Sequence, residues 1–436
     1  MDVSVIGTGY LGATHAACLA HLGHTVVGFD VDRDRVRQLA NGESPFSEPD
    51  LDELLRDGVS SGRLRFTDSP ELLAGASVHF LCVGTPQRAD SAGADLSAVW
   101  SAVDLLAEAH AGPALLVGKS TVPVGTAAAI AKRFASQVGA WEVAWNPEFL
   151  REGHAVEDSL HPSRIVVGTD SESAWQRICE LYQPILDDGA RIIRTDFASA
   201  ELAKVASNVV LAARLSVVNS LAEVCEAAAG NVRDLLEVLG SDDRIGSVYL
   251  TPGIGFGGSC LPKDVRAFAE RARELGVGES MGLFDEVDRV NLRQRSRTVE
   301  RAFALAGSPD RAPRIAVLGA AFKAGSDDVR DSPALAIAGS LHDRGARVRI
   351  YDPKAVPAAR RLRPDLSYTE DAADACEDAD LVLVLTEWPE VASLDPRVLA
   401  NRVARPVVLD ARLVLDADRW RDAGWEFHSV GAAHAH

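Results

Sequence analysis

The sequence predicts an α/β protein in which two doubly wound domains are joined by a central helical core, and three observations carry that reading. Short apolar, β-branched runs at 3–6, 26–29, 78–83, 114–117 and 165–167 alternate with helical patterns, as buried parallel strands with crossover helices do. From about Ser199 to Gly240 the chain turns Ala- and Leu-rich with few turn signals, the mark of a long helical stretch. After Pro313 the β pattern returns at 314–319, 348–351, 381–385 and 407–409. At 436 residues the chain exceeds one core, and roughly 150 residues per domain gives two or three. The boundaries fall at 1–198 for the first α/β domain, 199–300 for the helical core and 301–436 for the closing α/β domain.

The 45 basic and 63 acidic residues leave a formal net charge of −18, which opposes non-specific attraction to nucleic acid or to an anionic membrane. Neither is expected as a partner, and an anionic ligand would need local donors. The N-terminus Met1-Asp2-Val3-Ser4-Val5-Ile6-Gly7 runs as a strand into a glycine turn, without the basic and apolar regions of a secretion signal. No segment reaches the ~18 uninterrupted apolar residues of a membrane helix, so a cytoplasmic location is expected. The six cysteines lack paired spacing, which points to free thiols and no metal site. Cys18, Cys82, Cys179, Cys225 and Cys376 sit among apolar or helical neighbours and read as core residues. His434 and His436 end a small, polar stretch and read as a frayed tail.

Gly7-Thr8-Gly9-Tyr10-Leu11-Gly12 lies between a strand and an Ala-rich helix, the context in which GxGxxG acts as a Rossmann turn. Gly7 permits the turn, Gly9 admits a pyrophosphate and Gly12 lets helix and strand close up, while the helix N-terminus offers N–H groups to the anion. Asp30, at the end of the next strand, is placed to accept hydrogen bonds from ribose hydroxyls and to repel a 2′-phosphate. NAD is the expected cofactor, with Arg33 and Arg35 leaving NADP open.

The run Gly255-Phe256-Gly257-Gly258-Ser259-Cys260-Leu261-Pro262-Lys263-Asp264 sets a lone thiol among glycines that let backbone approach a ligand. Lys263 beside it favours a thiolate by charge. A hydride acceptor together with such a thiolate suits a four-electron oxidation. One hydride leaves an aldehyde, the thiolate adds, the thiohemiacetal gives up a second hydride, and water hydrolyses the thioester to an acid. Glu201, Lys204, Asn208 and Leu211 share one helix face by their three- and four-residue spacings. Lys204 and Asn208 there read either as the border of a cavity or as solvated groups on a surface helix.

Further motifs are Cys82-Val83-Gly84-Thr85-Pro86, Ser120-Thr121-Val122-Pro123-Val124-Gly125-Thr126 and Asn146-Pro147-Glu148-Phe149-Leu150-Arg151-Glu152-Gly153. Asp243-Arg244-Ile245-Gly246 and Phe322-Lys323-Ala324-Gly325-Ser326-Asp327-Asp328-Val329-Arg330 complete the set. In this order they resemble the UDP-glucose 6-dehydrogenase family over nearly the whole chain. The resemblance implies an NAD domain, a helical dimerisation core and a C-terminal nucleotide-sugar domain, with the active site between the outer two. It implies Cys260 as nucleophile and Lys204 as stabiliser of a developing alkoxide, with Asn208 beside it as an oxyanion donor. Asp264, Glu148 and an ordered water would handle protons and hydrolysis, and Thr121 joins the catalytic set.

By the same resemblance NAD would be touched by Gly7, Thr8, Gly9, Tyr10, Leu11, Gly12, Asp30 and Arg35, by Val83, Gly84, Thr85 and Pro86, and by Ser120, Thr121, Glu152, Lys263 and Arg330. The nucleotide sugar would be held by Glu148, Phe149, Leu150, Arg151, Glu152, Lys204 and Asn208, by Arg244 and Tyr249, by Thr251, Gly253, Gly255, Phe256 and Gly257 of one loop, and by Phe322, Lys323 and Arg412. The expected reaction is oxidation of UDP-glucose at C6 to UDP-glucuronate by a homodimer or higher homo-oligomer. The alternative substrates are dTDP-glucose and GDP-mannose, and the alternative outside enzymes is a catalytically silent NAD-binding scaffold. Leu261 departs from the phenylalanine common in UDP-glucose enzymes, and Cys-Leu-Pro-Lys-Asp occurs in GDP-mannose enzymes too. Arg214 for lysine, Ser220 for glutamate, and Asp410-Ala411-Arg412-Leu413 for Asp-Gly-Arg-Asn are further departures.

Overall fold

The computed structural model describes residues 1–109, 112–135, 141–307 and 312–432, so His434 and His436 lie outside the described residues. The chain divides into two compact units, Met1–Ser207 with Glu270–Leu275, and Asn208–Ala269 with the chain from Gly276 onward. Most of the 199–300 segment falls in the second unit.

The first unit is built on β1 (Asp2–Ile6), β2 (Thr25–Phe29), β3 (Leu64–Thr67), β4 (Val78–Leu81), β5 (Ala114–Gly118), β6 (Trp141–Trp145), β7 (Arg164–Gly168) and β8 (Arg191–Thr195). They form one sheet in the order β3-β2-β1-β4-β5-β6-β7-β8. The first six strands are parallel. β7 meets β6 antiparallel at one position, Trp145 opposite Gly168, and pairs parallel with β8. The last two strands therefore run against the rest, where a wholly parallel sheet was expected. Trp145 also stands opposite Gly118, and a Cβ on Gly118 would lie 2.1 Å from its indole. The ring fills the space that the glycine leaves. Strands covered on both faces are nearly continuous in apolar residues; all four residues of β4 are buried, and its one polar residue, His79, bonds Ser4 of β1 at 2.7 Å.

The second unit holds a six-stranded parallel sheet in the order β11-β10-β9-β12-β13-β14. Its strands are β9 (Arg314–Leu318), β10 (Arg347–Tyr351), β11 (Ser367–Thr369), β12 (Leu381–Val384), β13 (Val407–Asp410) and β14 (Glu426–Ser429). Trp420 and Trp425 meet edge to face with centroids 4.7 Å apart in its core. Apart from the reversed β7 and β8, the α/β architecture with parallel sheets and a central helical region is the one expected.

The helix Phe197–Ala227 is, by length and hydropathy, long and apolar enough to cross a membrane. An uninterrupted-run criterion passes it over because Glu201, Lys204 and Asn208 break the apolar sequence. In the fold these three are buried and bonded to protein groups, which makes theirs a protein-facing side. Val210, Val217 and Val224, seven residues apart, are 59%, 58% and 62% exposed on the same helix. Of the five cysteines read as core, Cys18, Cys82, Cys225 and Cys376 are buried and Cys179 is half-buried.

Candidate active site

In the first unit the expected cofactor residues other than Glu152, which follows β6, stand at the C-terminal ends of β1, β2, β4 and β5, the edge at which doubly wound sheets take ligands. Gly7 has φ +86°, and a Cβ there would lie 2.9 Å from Val83, so only glycine makes the turn. A Cβ on Gly12 would lie 1.8 Å from the Gly7 carbonyl oxygen, so the helix Tyr10–His21 seats directly on that turn. Gly9 and Gly84 instead face open space, with nothing within 4 Å of such an atom. The opening beside Gly9 is the cradle a pyrophosphate requires.

Asp30 is 6% exposed. Its Oδ2 accepts from Thr8 N at 2.7 Å and from Arg35 at 2.9 Å, and its Oδ1 from Asp32 N at 3.0 Å. Burial raises the carboxyl pKa, but the N–H donors and the Arg35 charge outweigh it and hold the group below the usual carboxylate range. Arg35 is itself engaged by Asp30 and Asp32, and Arg33 by Asp68. A fixed negative charge thus stands where an NADP 2′-phosphate would sit, and the residues present fit NAD. Hydrogen bonds to a charged group contribute ~1.5–3 kcal/mol, so Asp30→Ser is expected to raise the KM for NAD about tenfold or more and to narrow the NAD:NADP preference. Steady-state kinetics with both cofactors checks this; an unchanged KM for NAD would remove Asp30 from the site.

Buried polar ties position the loops at this edge. Thr85 Oγ1 donates to Thr121 O at 2.6 Å and Ser120 Oγ to Val83 O at 2.7 Å, fastening the 83–86 turn to the loop after β5. Glu201 accepts from Gly125 N at 2.7 Å and Ala127 N at 2.6 Å, although burial pushes its pKa up. The Tyr10 hydroxyl donates a short hydrogen bond to Glu48, whose carboxylate also accepts from Gly153 N at 2.8 Å and Ala155 N at 2.6 Å. Glu48 therefore joins the glycine-turn helix to the end of the 146–153 loop. Burial first, then Glu48, pushes the Tyr10 hydroxyl pKa up. Leu11 packs against the core beneath it, and Pro86 is exposed.

Within that loop Glu148 Oε1 lies 2.7 Å from Lys204 Nζ, with the two side chains 12% and 5% exposed. Glu148 Oε2 accepts from Leu150 N at 2.6 Å. The cavity-border reading of Lys204, and not the solvated one, agrees with this burial. Phe149 lies 4.0 Å under the Arg164 guanidinium. Arg151 makes a two-pronged contact to Asp158 at 2.9 and 2.7 Å, and Glu152 beside it is half-buried.

In the second unit Cys260 stands at the start of the helix Leu261–Glu274, its carbonyl accepting from Asp264 N at 2.9 Å. A negative sulfur is well tolerated at a helix N-terminus. Ser259 Oγ lies 3.4 Å from the Cys260 sulfur. The Asp264 carboxylate is buried, with Lys263 Nζ 2.6 Å from Oδ1 and Asn208 Nδ2 donating to Oδ2 at 2.6 Å. The Lys263 charge is thus met by Asp264.

The glycines ahead of Cys260 are crowded by protein. A Cβ on Gly255 would lie 2.5 Å from Asn291, on Gly257 2.3 Å from the Asp331 carbonyl, and on Gly258 2.7 Å from Phe322. At these three positions the absent side chains let the loop pack closely against neighbouring segments. Asn291 brackets the Phe256 peptide, accepting from its N–H at 2.6 Å and donating to its carbonyl at 3.1 Å. Asn219 accepts from Gly253 N at 2.8 Å, and Thr251 at the loop's start is exposed.

Arg412 donates to Leu385 O at 2.8 Å and Phe322 O at 3.2 Å, and Lys323 lies 5.6 Å over the Phe322 ring. Arg330 forks onto Asp328. Arg244 is 88% exposed, its guanidinium on Asp242, and Tyr249 holds a φ of +59°. Arg214 donates to Ile245 O at 2.8 Å and Gly246 O at 2.9 Å, a planar fork that lysine lacks. Leu413 takes φ +57°. Glu48, Asn219 and Asn291 carry no motif and were missed. The one signal for the last is an asparagine between Val290 and Leu292 in a helical run.

Comparison with known proteins matches three models of the UDP-glucose/GDP-mannose dehydrogenase family: the NAD binding domain over residues 1–186, the central domain over 198–293 and the UDP binding domain over 316–417. The chain is 38% identical over 436 residues to a UDP-glucose 6-dehydrogenase of Rhizobium meliloti (strain 1021), covering 99% of each. A solved UDP-glucose dehydrogenase from the archaeon Pyrobaculum islandicum superposes with a TM-score of 0.90 at 37% identity, over 99% of this chain and 98% of that one. The UDP-D-ManNAc dehydrogenase of Pyrococcus horikoshii gives 0.86 at 28% identity over 99% of both chains.

Proposed function

Because the chain belongs to the UDP-glucose/GDP-mannose dehydrogenase family and is an NAD-dependent oxidoreductase of the UDP-glucose 6-dehydrogenase type, we propose that it oxidises UDP-glucose at C6 to UDP-glucuronate through a thioester on Cys260. The observation that carries the covalent reading is the placing of Cys260 at a helix start, one turn before a buried Asp264 bonded to Asn208. UDP-glucose is favoured over an N-acetylhexosamine because the relatives named for it stand at 38% and 37% identity against 28%.

NAD, bound once for each of the two oxidations, would supply the acceptor for one hydride each time. Lys204 and Asn208 stabilise the alkoxide that forms as the C6 hydroxyl loses its proton. The Cys260 thiolate adds to the aldehyde, and after the second oxidation leaves as the thioester is hydrolysed. Asp264 and Glu148 take the hydroxyl proton and orient the hydrolytic water. Thr121, Glu152, Lys263 and Arg330 contact the cofactor, and Arg244, Lys323, Arg412 and the 251–257 loop hold the nucleotide sugar. The 1–198, 199–300 and 301–436 division and a cytoplasmic location belong to the same reading.

The test is the NADH formed per sugar consumed, measured in parallel with UDP-glucose, dTDP-glucose, GDP-mannose and UDP-N-acetylglucosamine. Two NADH with UDP-glucose upholds the reading; one NADH per sugar would overturn the role given to Cys260. The protein also works as a homodimer, its partner covering the Val210, Val217 and Val224 stripe, whose seven-residue spacing is that of a helix–helix seam. Val217→Glu is expected to shift the sedimentation coefficient to that of a monomer. A parent protein that sediments as a monomer at micromolar concentration would defeat the dimer.

A further inference from the structure

One buried amine in the first unit has no part in the chemistry above. Lys119 follows β5, and its Nζ is enclosed by the fold. It donates to Asn146 Oδ1 at 3.0 Å, stands 3.5 Å from the Tyr182 hydroxyl and lies 5.9 Å over the Tyr182 ring. Tyr182 donates to the same Asn146 oxygen at 2.7 Å, and Asn146 Nδ2 donates to Val166 O at 2.8 Å. Every polar atom of the Asn146 side chain is thus engaged. Its backbone N–H donates to Gly118 O at 2.7 Å. Asn146 opens the loop that carries Glu148 two residues on, and Glu148 bonds Lys204.

The groups facing Lys119 are Cys18, Cys82, His15, Tyr182, Glu148 and Lys204. Burial pushes both thiols up to about 12, the tyrosine hydroxyl further up and the imidazole well down, so these four are uncharged at neutral pH. The two charged groups left are the pair in the proposed chemistry. An ammonium held by neutral acceptors is a costly thing to bury, and here its field falls on Glu148, which it attracts, and on Lys204, which it repels.

We propose that Lys119 is a positioning residue for the oxidation: its ammonium, held on Asn146, fixes the loop that carries Glu148 and, through Glu148, sets Lys204. This rests on the reading of Lys204 and Glu148 given above. The tie has a pH signature. Burial pushes the Lys119 amine down to about 8, so its charge is present at neutral pH and is lost as pH rises through that value.

The test compares the parent with Lys119→Met, whose unbranched side chain keeps much of the buried stem and removes the charge, using the nucleotide sugar that the parent turns over. At about pH 6.5 kcat is expected to fall on the order of tenfold while the KM values for NAD and the sugar change less than about threefold, since misplaced catalytic groups lower turnover more than binding. By about pH 9.5 the parent-to-variant ratio should shrink below about threefold, because the parent has lost the same charge. A ratio that stays constant with pH, or that is under twofold throughout, overturns the proposal. Asn146→Leu removes the acceptor while leaving the amine, is held to the same pH-dependent ratio, and covers the case in which the first variant does not fold. The parent's NADH per sugar decides the proposed reaction independently of these ratios.

Discussion

Cys260→Ala is expected to abolish acid formation, a loss on the order of 10⁴-fold or more, the scale set by removing a covalent nucleophile whose neighbours remain. Alcohol oxidation to an aldehyde needs no thiol. The second oxidation does, because the aldehyde carbon has no good hydride to give until a nucleophile has added to it. The variant should therefore form at most one NADH per sugar, and only where the aldehyde escapes. Cys260→Ser separates addition from release: a serine alkoxide is a poorer leaving group than a thiolate, so an ester is expected to accumulate on the protein. Intact-protein mass spectrometry after one turnover reads that adduct directly. Acid production at the parental rate by the alanine variant would remove the covalent route.

For Lys204→Ala the expected loss in kcat is on the order of 10²-fold or more, by analogy with deleting one oxyanion donor. The ion pair with Glu148 sharpens the expectation. Removing the ammonium leaves a mostly buried carboxylate without its 2.7 Å partner, so the variant loses a donor to the developing alkoxide and gains a negative group that opposes it. Glu148→Gln together with Lys204→Ala should be less damaging than the product of the two single losses, because the pair acts as one unit. Single-turnover rates of the four proteins check this. A Lys204→Ala rate within twofold of the parent would return Lys204 to a structural role.

The parts of the fold that were legible in the sequence are those under the strongest local constraint. β5, β9, β12 and β13 lie within their sheets and read as apolar runs, and β1 and β4 do so but for Ser4 and His79, which bond each other at 2.7 Å. β3, β8, β11 and β14 are sheet edges, where one side meets water, and Arg65, Arg191, Arg194 and Glu426 break the pattern. β6 was missed for a different reason: its Glu142 interrupts a run that the fold nevertheless pairs on both sides. Of the site proposed above, Cys260, Lys204, Asn208 and Asp264 stand out in the sequence because that chemistry admits few residue types. Glu48, Lys119, Asn219 and Asn291 do not, since each acts on backbone or side chains 27 to 107 positions away. Gly255, Gly257 and Gly258 teach a narrower lesson. A glycine reports that something comes close, and only the fold says whether that is a ligand or a neighbouring segment.

The row Gly118, Trp145, Gly168 across β5, β6 and β7 also bears on how this sequence changes over generations. A methyl group at Gly118 would collide with the indole at 2.1 Å, and one at Gly168 with the Asp196 carbonyl at 2.6 Å. Shrinking Trp145 alone would open a cavity in the core, at ~3–5 kcal/mol for so large a side chain. Each one-step path therefore passes through a poorly folded ancestor. Gly118 and Trp145 are therefore expected to be inherited together, and since Lys119 and Asn146 follow them directly, drift at either would displace the residues that set the loop after β6. The slowest-changing part of this unit is accordingly expected to include a tryptophan and two glycines with no role in any reaction.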